Sequence, residues 1–282
     1  PVAVHEAVAD VDRIYHVAAR IAFGRTGDPD RLHAVNVQGT SNLIDAALEK
    51  DVDRFLHTSS VAALGPPERE GELADETSRW RETPATTEYA RSKHAAELEV
   101  FRGQAEGLEV VIANPALVFG PEDPGNATMQ IVERIREERM PGVPPGGTNV
   151  VDVLDAAAGL QAVMEKGRPG ERYYLGSEAL TWARLFEILA EAFEAEPPAW
   201  ELPPRLLRAA GWIADGIGTV LPVRPPLSRE IAESALTFHR YSNAKARREL
   251  GLEFRPFEET AERLAARSPR EIYDEASSMA SG

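Results

Sequence analysis

The sequence predicts an α/β fold built on a parallel β-sheet, with a smaller and mostly helical second part. Three observations carry the prediction. Buried-strand runs at Val11–Ala19 (VDRIYHVAA), Asp53–Ser60 (DRFLHTSS) and Leu108–Val118 (LEVVIANPALV) are separated by helical stretches at Asn36–Lys50 and Thr87–Gln104. Strands alternating with helices at this spacing imply parallel strands joined by right-handed crossovers. Beyond Asn126 the regular alternation gives way to a run of helices.

Taken in order, Pro1–Asp10 reads as the end of a helix. Val11–Ala19 is a strand closing on the small residues Ala18 and Ala19, which let a flat ligand approach the backbone. His16, at that strand's end, is a candidate base, although a histidine so placed is more often a packed structural residue. Arg20–Leu32 is loop-like, and Asn36–Lys50 sets Leu43, Ile44 and Ala47 on one helical stripe. Asp53–Ser60 is a strand that runs straight into hydroxyl residues, and Gly65–Thr83 is a long polar loop. A helix at Thr87–Gln104 leads to the third buried strand, Leu108–Val118, which FGPEDPG closes. A helix at Asn126–Met140, a turn-rich PGVPPGG, a short extended segment at Asn149–Val153, a helix at Asp155–Lys166 and a strand at Arg172–Gly176 follow. Helices at Thr181–Phe193, Arg205–Ile217 and Arg229–Ala235, then two helical pieces within Ser242–Ala266, complete the ordered part. The stretch 271–282 is expected to be a flexible tail. Trp200, Trp212 and Phe238 are expected to pack in the core.

At 282 residues and 43% apolar composition the chain is large enough for a full core. A net charge of −15 argues against nucleic acid and anionic membrane as partners. No apolar run approaches the roughly 20 residues of a membrane span. The absence of cysteine excludes disulfides and thiolate metal sites and fits a reducing cytoplasm, and no metal site is expected.

Thr87–Glu97, TEYARSKHAAE, carries the chemistry. Tyr89 and Lys93 are four residues apart, so on a helix the phenol and the ammonium share one face. A free phenol titrates near pH 10 and is a poor proton carrier at neutrality. A cation beside it favours the phenolate and draws the pKa down, which makes Tyr89 a usable general acid/base. Tyr241 and Lys245 repeat the spacing in YSNAKARRELG, so the surroundings must choose between the two pairs.

HVAA, NVQGT, HTSSVAALG, YARSK, NPALVFGP, NVVDVLDAA, RYYLGS and KARRELG occur in an order that resembles the extended short-chain dehydrogenase/reductases, the NAD(P)-dependent epimerase/dehydratase-like proteins. The resemblance spans about Val11 to Phe257. It implies a Rossmann-type, doubly wound sheet and NAD or NADP as cofactor. It also favours Tyr89, which lies between the Ser-rich strand end and the NPALVFGP strand, over Tyr241. By that resemblance Ser60 polarises the substrate oxygen, with Ser59 the weaker candidate, Tyr89 passes the proton, and Lys93 binds the nicotinamide ribose and lowers the tyrosine's pKa. Val17, Ala18, Ala19, Asn36, Thr58, Pro115, Ala116 and Val118 match positions that line the cofactor together with Tyr89 and Lys93. The implied division is a dinucleotide-binding domain at 1–125, joined by segments near 149–177, and a substrate-binding part at 126–148 and 178–270.

The family's opening strand and glycine-rich GxxGxxG turn have no counterpart here. The resemblance therefore implies a sheet lacking its first strands, and a chain that by itself binds dinucleotide no better than millimolar and is inactive alone. Val61-Ala62 after Ser60 disfavours a dehydratase, which has an Asp-Glu pair there. Leu117, where sugar-nucleotide epimerases commonly carry Asn, suits a less polar substrate. The expected reaction is hydride transfer between a nicotinamide cofactor and a carbonyl or secondary alcohol, in the manner of dihydroflavonol-reductase-like members. The alternatives are a sugar-nucleotide epimerase and, of another class, a non-catalytic dinucleotide-sensing protein. The helices Asn36–Lys50 and Thr87–Gln104 match the pair through which many members dimerise, so a homodimer is expected when the protein is full length. Leu98 and Phe101 are placed for core or interface.

Overall fold

Ile14 lies opposite Phe55, and Phe55 opposite Val110, in one continuous parallel ladder. The computed structural model that shows this describes residues 2–21, 29–69, 71–120, 127–220 and 228–266. Its first half contains α1 (Val2–Ala7), β1 (Arg13–His16), α2 (Pro29–Leu32), a π-helical turn (His33–Gln38), α3 (Gly39–Glu49), β2 (Arg54–Thr58), a 3₁₀ turn (Val61–Ala63), β3 (Leu73–Ala74), α4 (Glu88–Ala105) and β4 (Glu109–Pro115). Then come β5 (Leu117–Phe119), α5 (Ala127–Arg136), β6 (Gly147–Asp152), α6 (Val153–Lys166), β7 (Arg172–Leu175) and β8 (Glu178–Thr181). The last part is α7 (Trp182–Ala192), α8 (Pro204–Val220), α9 (Arg229–Leu236), β9 (Arg240–Tyr241), α10 (Ala244–Leu250) and α11 (Phe257–Ala266). Part of the expected Arg20–Leu32 loop, at 22–28, and the whole expected tail at 271–282 lie outside the described residues.

The main sheet has the order β1-β2-β4-β7 with every pair parallel. Alternate residues serve opposite faces, as the two-residue period of a strand requires. Phe55, Val110 and Ile112 pack with Ile44, Ala47 and Val100 from α3 and α4. Leu56, Val111 and Ala113 pack on the other face with Ala156, Val163 and Met164 from α6. Burial on both faces explains why these strands read as unbroken apolar runs rather than alternating ones. Each of the larger of these side chains contributes about 1.5–3 kcal/mol on burial. The sheet is Rossmann-type and doubly wound, with β1 at one edge.

The expected strand Leu108–Val118 is two strands. β4 ends at Pro115, which has no backbone N–H to continue the ladder. Ala116 N makes one more bond, to Leu175 O at 2.8 Å. Leu117 then enters a second sheet, ordered β5-β6-β8, in which β6 runs parallel to β5 and antiparallel to β8. Val11–Ala19 likewise shortens to Arg13–His16, the part that pairs with β2. The four-residue β8 was not foreseen, because so short a segment has no periodicity to read. A second apolar core forms where Phe119, Val132 and Ile135 meet Leu185, Leu189, Phe257 and Ala261.

Trp200 and Trp212 are not core residues. They are 56% and 58% exposed, and the Arg229 guanidinium sits 4.3 Å over the Trp212 ring. Gly65–Thr83 is more ordered than a polar loop. β3 pairs with β9, and Gly65 is pressed so closely on Arg79 that an added Cβ would lie 2.0 Å from the Arg79 carbonyl oxygen.

Candidate active site

Two local devices bring Ser60, Tyr89 and Lys93 to one place. β2 delivers Thr58, Ser59 and Ser60 at its carboxyl end, where Ser59 N donates to Ala113 O at 2.8 Å. The Ser60 hydroxyl accepts from Ala62 N at 3.2 Å and starts the 3₁₀ turn. The buried Thr87 is the N-cap of α4, its hydroxyl accepting from Ala90 N at 3.1 Å. That cap sets where the helix begins, and so the phase of the face carrying Tyr89, Lys93 and Glu97. The Tyr89 phenol shares a hydrogen bond with the Ser60 hydroxyl. Lys93 Nζ, only 2% exposed as a residue, donates to Thr58 O at 2.8 Å.

The electrostatics depart from the expectation for Tyr89. Burial holds its phenol above the ordinary value, and the Ser60 hydrogen bond only partly opposes this. The Lys93 ammonium donates to the Thr58 carbonyl, and burial sets the direction of the tyrosine's shift. Burial also lowers Lys93 itself to about 8, against the pull of the Glu97 carboxylate.

A cleft of about 1120 Å³ opens over these residues. Val17, Ala19, Thr58, Ser59, Ser60, Tyr89, Lys93, Pro115, Ala116 and Val118 all line it. Ala18 and Asn36 do not. Ala18 is exposed, while Asn36 is buried. The Asn36 carboxamide accepts from Arg20 N at 2.7 Å and donates to Arg20 O at 2.9 Å and to the Ser92 hydroxyl at 2.9 Å. It therefore clamps the segment after β1 to α4. Asn36 belongs to the π-helical turn, a local irregularity frequent at functional sites. His16 is structural, its Nε2 lying 2.9 Å from the Thr40 hydroxyl.

The sequence reading missed the support behind the site. Glu97 is 1% exposed, and burial raises its pKa. Its carboxylate accepts from Asn114 Nδ2 at 2.6 Å and from the Arg172 guanidinium at 3.4 Å. Asn114 Nδ2 also donates to Ser60 O at 2.9 Å, so Glu97 and Asn114 together hold the main chain of the hydroxyl residue. The available signals were a charge four residues after Lys93 on its face, and a carboxamide inside an apolar strand.

The second Tyr-Lys pair is engaged elsewhere. Lys245 Nζ bonds the Glu171 carboxylate at 2.7 Å and Arg172 O at 2.6 Å, and sits 4.5 Å over the Tyr173 ring. Tyr241 reaches the cleft wall, but its hydroxyl donates to Gly65 O at 3.3 Å and burial raises its pKa to about 12.

The residues present fit the nicotinamide–ribose half of a dinucleotide. The cleft wall offers a lone buried ammonium, small and apolar strand ends, and the buried Thr58 hydroxyl, which has no partner among the described residues. Among the described residues no helix is long and apolar enough to cross a membrane.

The model of the NAD dependent epimerase/dehydratase family matches residues 1–176. The chain is 32% identical to sterol demethylase protein B of Methylococcus capsulatus, over 88% of this chain and 76% of that protein. It is 32% identical to the 2-alkyl-3-oxoalkanoate reductase of Stenotrophomonas maltophilia, over 89% of this chain and 78% of that protein. The crystal structure of gox2253 superposes with a TM-score of 0.80 at 32% identity, covering 93% of this chain and 79% of that one. With the matched region spanning the main sheet and both elements that carry Ser60, Tyr89 and Lys93, this chain belongs to the NAD dependent epimerase/dehydratase family.

Proposed function

We propose that this protein is an NAD(P)-dependent carbonyl reductase, or alcohol dehydrogenase in the reverse direction, working through Ser60, Tyr89 and Lys93. The observation that carries the reading is the Ser60–Tyr89 hydrogen bond at the floor of a cleft whose wall includes Leu117. Two hydroxyl groups facing one space can both reach a substrate oxygen. Ser60 polarises the carbonyl by donating a hydrogen bond, and Tyr89 delivers the proton to the same oxygen as it becomes an alkoxide. The nicotinamide supplies or takes up the hydride when bound. Lys93 holds the nicotinamide ribose, and Glu97 and Asn114 keep the Ser60 backbone in place. The raised pKa of Tyr89 suits a group that arrives protonated and gives its proton to a stronger base.

Leu117 lines the cleft and has no polar atom for a sugar hydroxyl, which favours a ketone with an apolar body over a sugar nucleotide. The 32% identity to an oxoalkanoate reductase supports the same reading. The protein acts as a homodimer through α3 and α4, in the cytoplasm. The test is turnover by the full-length protein with NADH and NADPH on ketones and on UDP- and dTDP-sugars. Reduction of ketones supports the proposal. Epimerisation of a sugar nucleotide without ketone reduction overturns it, and dinucleotide binding without turnover of either class points to a sensing protein.

A further inference from the structure

This inference rests on the reductase reading and specifies the substrate. Roughly one residue in six of the chain is acidic, 46 of 282, yet none of the described residues lining the cleft is Asp or Glu. The cleft carries two cations, Lys93 and Arg81. Lys93 is buried against Thr58 beneath the hydroxyl pair. Arg81 belongs to different chain segments from the cofactor wall. It lies between β3 and α4, and lines the cleft together with His239 from the stretch leading into β9, whose pKa its charge lowers.

Two features leave the Arg81 charge uncompensated. The neighbouring carboxylates of Glu82 and Glu88 are both held by Arg91, at 3.1 and 2.6 Å. Among the described residues no carboxylate pairs with Arg81, whose hydrogen bond goes to Pro67 O at 2.5 Å. That bond anchors one Nη2 and leaves the remaining donors of the fork. The loop is pinned at the adjacent residue as well. The Trp80 ring stacks on His94 of α4 with centroids 4.3 Å apart and planes 10° from parallel. A cation fixed at the rim of an acid-free cleft, in a strongly acidic protein, is a place for an anion.

We propose that Arg81, with the His239 imidazole beside it, is a carboxylate-binding subsite, and that the substrate is an oxo acid with an apolar body. One guanidinium matches a singly charged carboxylate by a two-pronged contact and balances its charge, whereas it would leave about half the charge of a phosphate dianion unbalanced. Leu64, Pro66, Trp80 and Leu117 supply the apolar wall for the body. Burial and the Arg81 charge lower the His239 pKa, and the neutral imidazole still carries one N–H that can donate.

The test uses the full-length protein with 3-, 4- and 5-oxoalkanoates and their methyl esters. Steady-state reduction is measured, together with calorimetric binding of the same compounds in the presence of oxidised cofactor. Wild type is expected to favour at least one acid over its ester by about tenfold or more, the weight of one charge-assisted contact. Arg81→Gln should abolish that preference by raising KM for the acid far more than for the ester, so that the acid-to-ester ratio of kcat/KM falls by about tenfold. Arg81→Lys should restore part of it. Equal binding of acid and ester by wild type, a preference that survives Arg81→Gln, or binding of neither would overturn the subsite. If the acids bind in preference to the esters yet no ketone is reduced, the reductase reading fails while the anion subsite stands.

Discussion

Lys93 Nζ lies 2.8 Å from the carbonyl oxygen of Thr58, the last residue of β2. A buried ammonium held by one carbonyl is easily discharged, and burial brings this lysine to about 8 despite the Glu97 carboxylate one turn away. His16 and His57 also face it from β1 and β2, and Lys93 lowers the pKa of both. If the ammonium is the working form, kcat/KM should fall as pH rises through about 8. In Glu97→Gln the favourable charge is gone, so that limb should move to lower pH. A pH–rate profile of the two proteins decides it, and an unmoved limb would show that Glu97 acts on packing alone.

Tyr89 and Tyr241 are separated by the same profile of activity. Tyr89→Phe removes the proton donor and should lower turnover by about 10²-fold or more while dinucleotide binding persists. Tyr241→Phe loses one hydrogen bond to Gly65 O, which costs about 1 kcal/mol of stability and leaves turnover near wild type. Single-turnover kinetics and denaturant midpoints on both variants are the check, and the reverse ranking would remove Tyr89 from its role.

The buried histidine pair should make the protein acid-sensitive. His16 is 7% exposed and its pKa is lowered to about 4, while His57 is 1% exposed and is shifted in the same direction. Between pH 6.5 and 4 the unfolded chain takes up a proton at His16 that the folded one refuses, so stability falls as pH falls through this window. The loss for His16 approaches about 3 kcal/mol at the acid end. His16→Gln, which can still meet the Thr40 hydroxyl, should flatten that part of the urea midpoint against pH. An unchanged slope would assign acid sensitivity to other groups.

Gly65 closes the loop that carries Trp80 and Arg81. Gly65→Ala places a Cβ 2.0 Å from the Arg79 carbonyl oxygen, and backbone cannot yield as a flexible side chain does. The expected outcome is a loss of about 1–3 kcal/mol and a larger loss in substrate KM than in cofactor affinity. A wild-type KM in this variant would mean that the loop is not anchored there.

The proposed dimer depends on α4. Leu98 is 55% exposed on that helix, whereas Phe101 packs against the α3–α4 core. Leu98→Asp should shift the full-length protein from dimer to monomer in sedimentation velocity, with the fold unchanged by circular dichroism. A wild-type protein that sediments as a monomer at micromolar concentration would exclude the dimer.

Legibility in the sequence followed the range of each interaction. Helix periodicity is local, so the placement of Tyr89 and Lys93 on one face of α4 was readable from their spacing, and the parallel character of the main sheet followed from strands alternating with helices. The start of α7 near Thr181 was readable in the same way, and in the structure Thr181 caps that helix. The transfer of the chain from one sheet to the other at Ala116 was not readable, because it depends on which strands offer partners to either side of Pro115. The direction of the Tyr89 shift was misjudged for a related reason. Spacing places a cation on the same face, but only the packed structure decides that its ammonium turns to Thr58 and that burial outweighs it. Glu97 meeting Asn114, and Trp80 stacking on His94 to hold Arg81 at the rim, join segments whose proximity only the tertiary fold creates. The sequence by itself determined the longer helices, the apolar strands and the phase of their chemistry-bearing faces. Tertiary structure alone decided burial, partner and charge state, because each depends on what other segments bring to within a few ångströms.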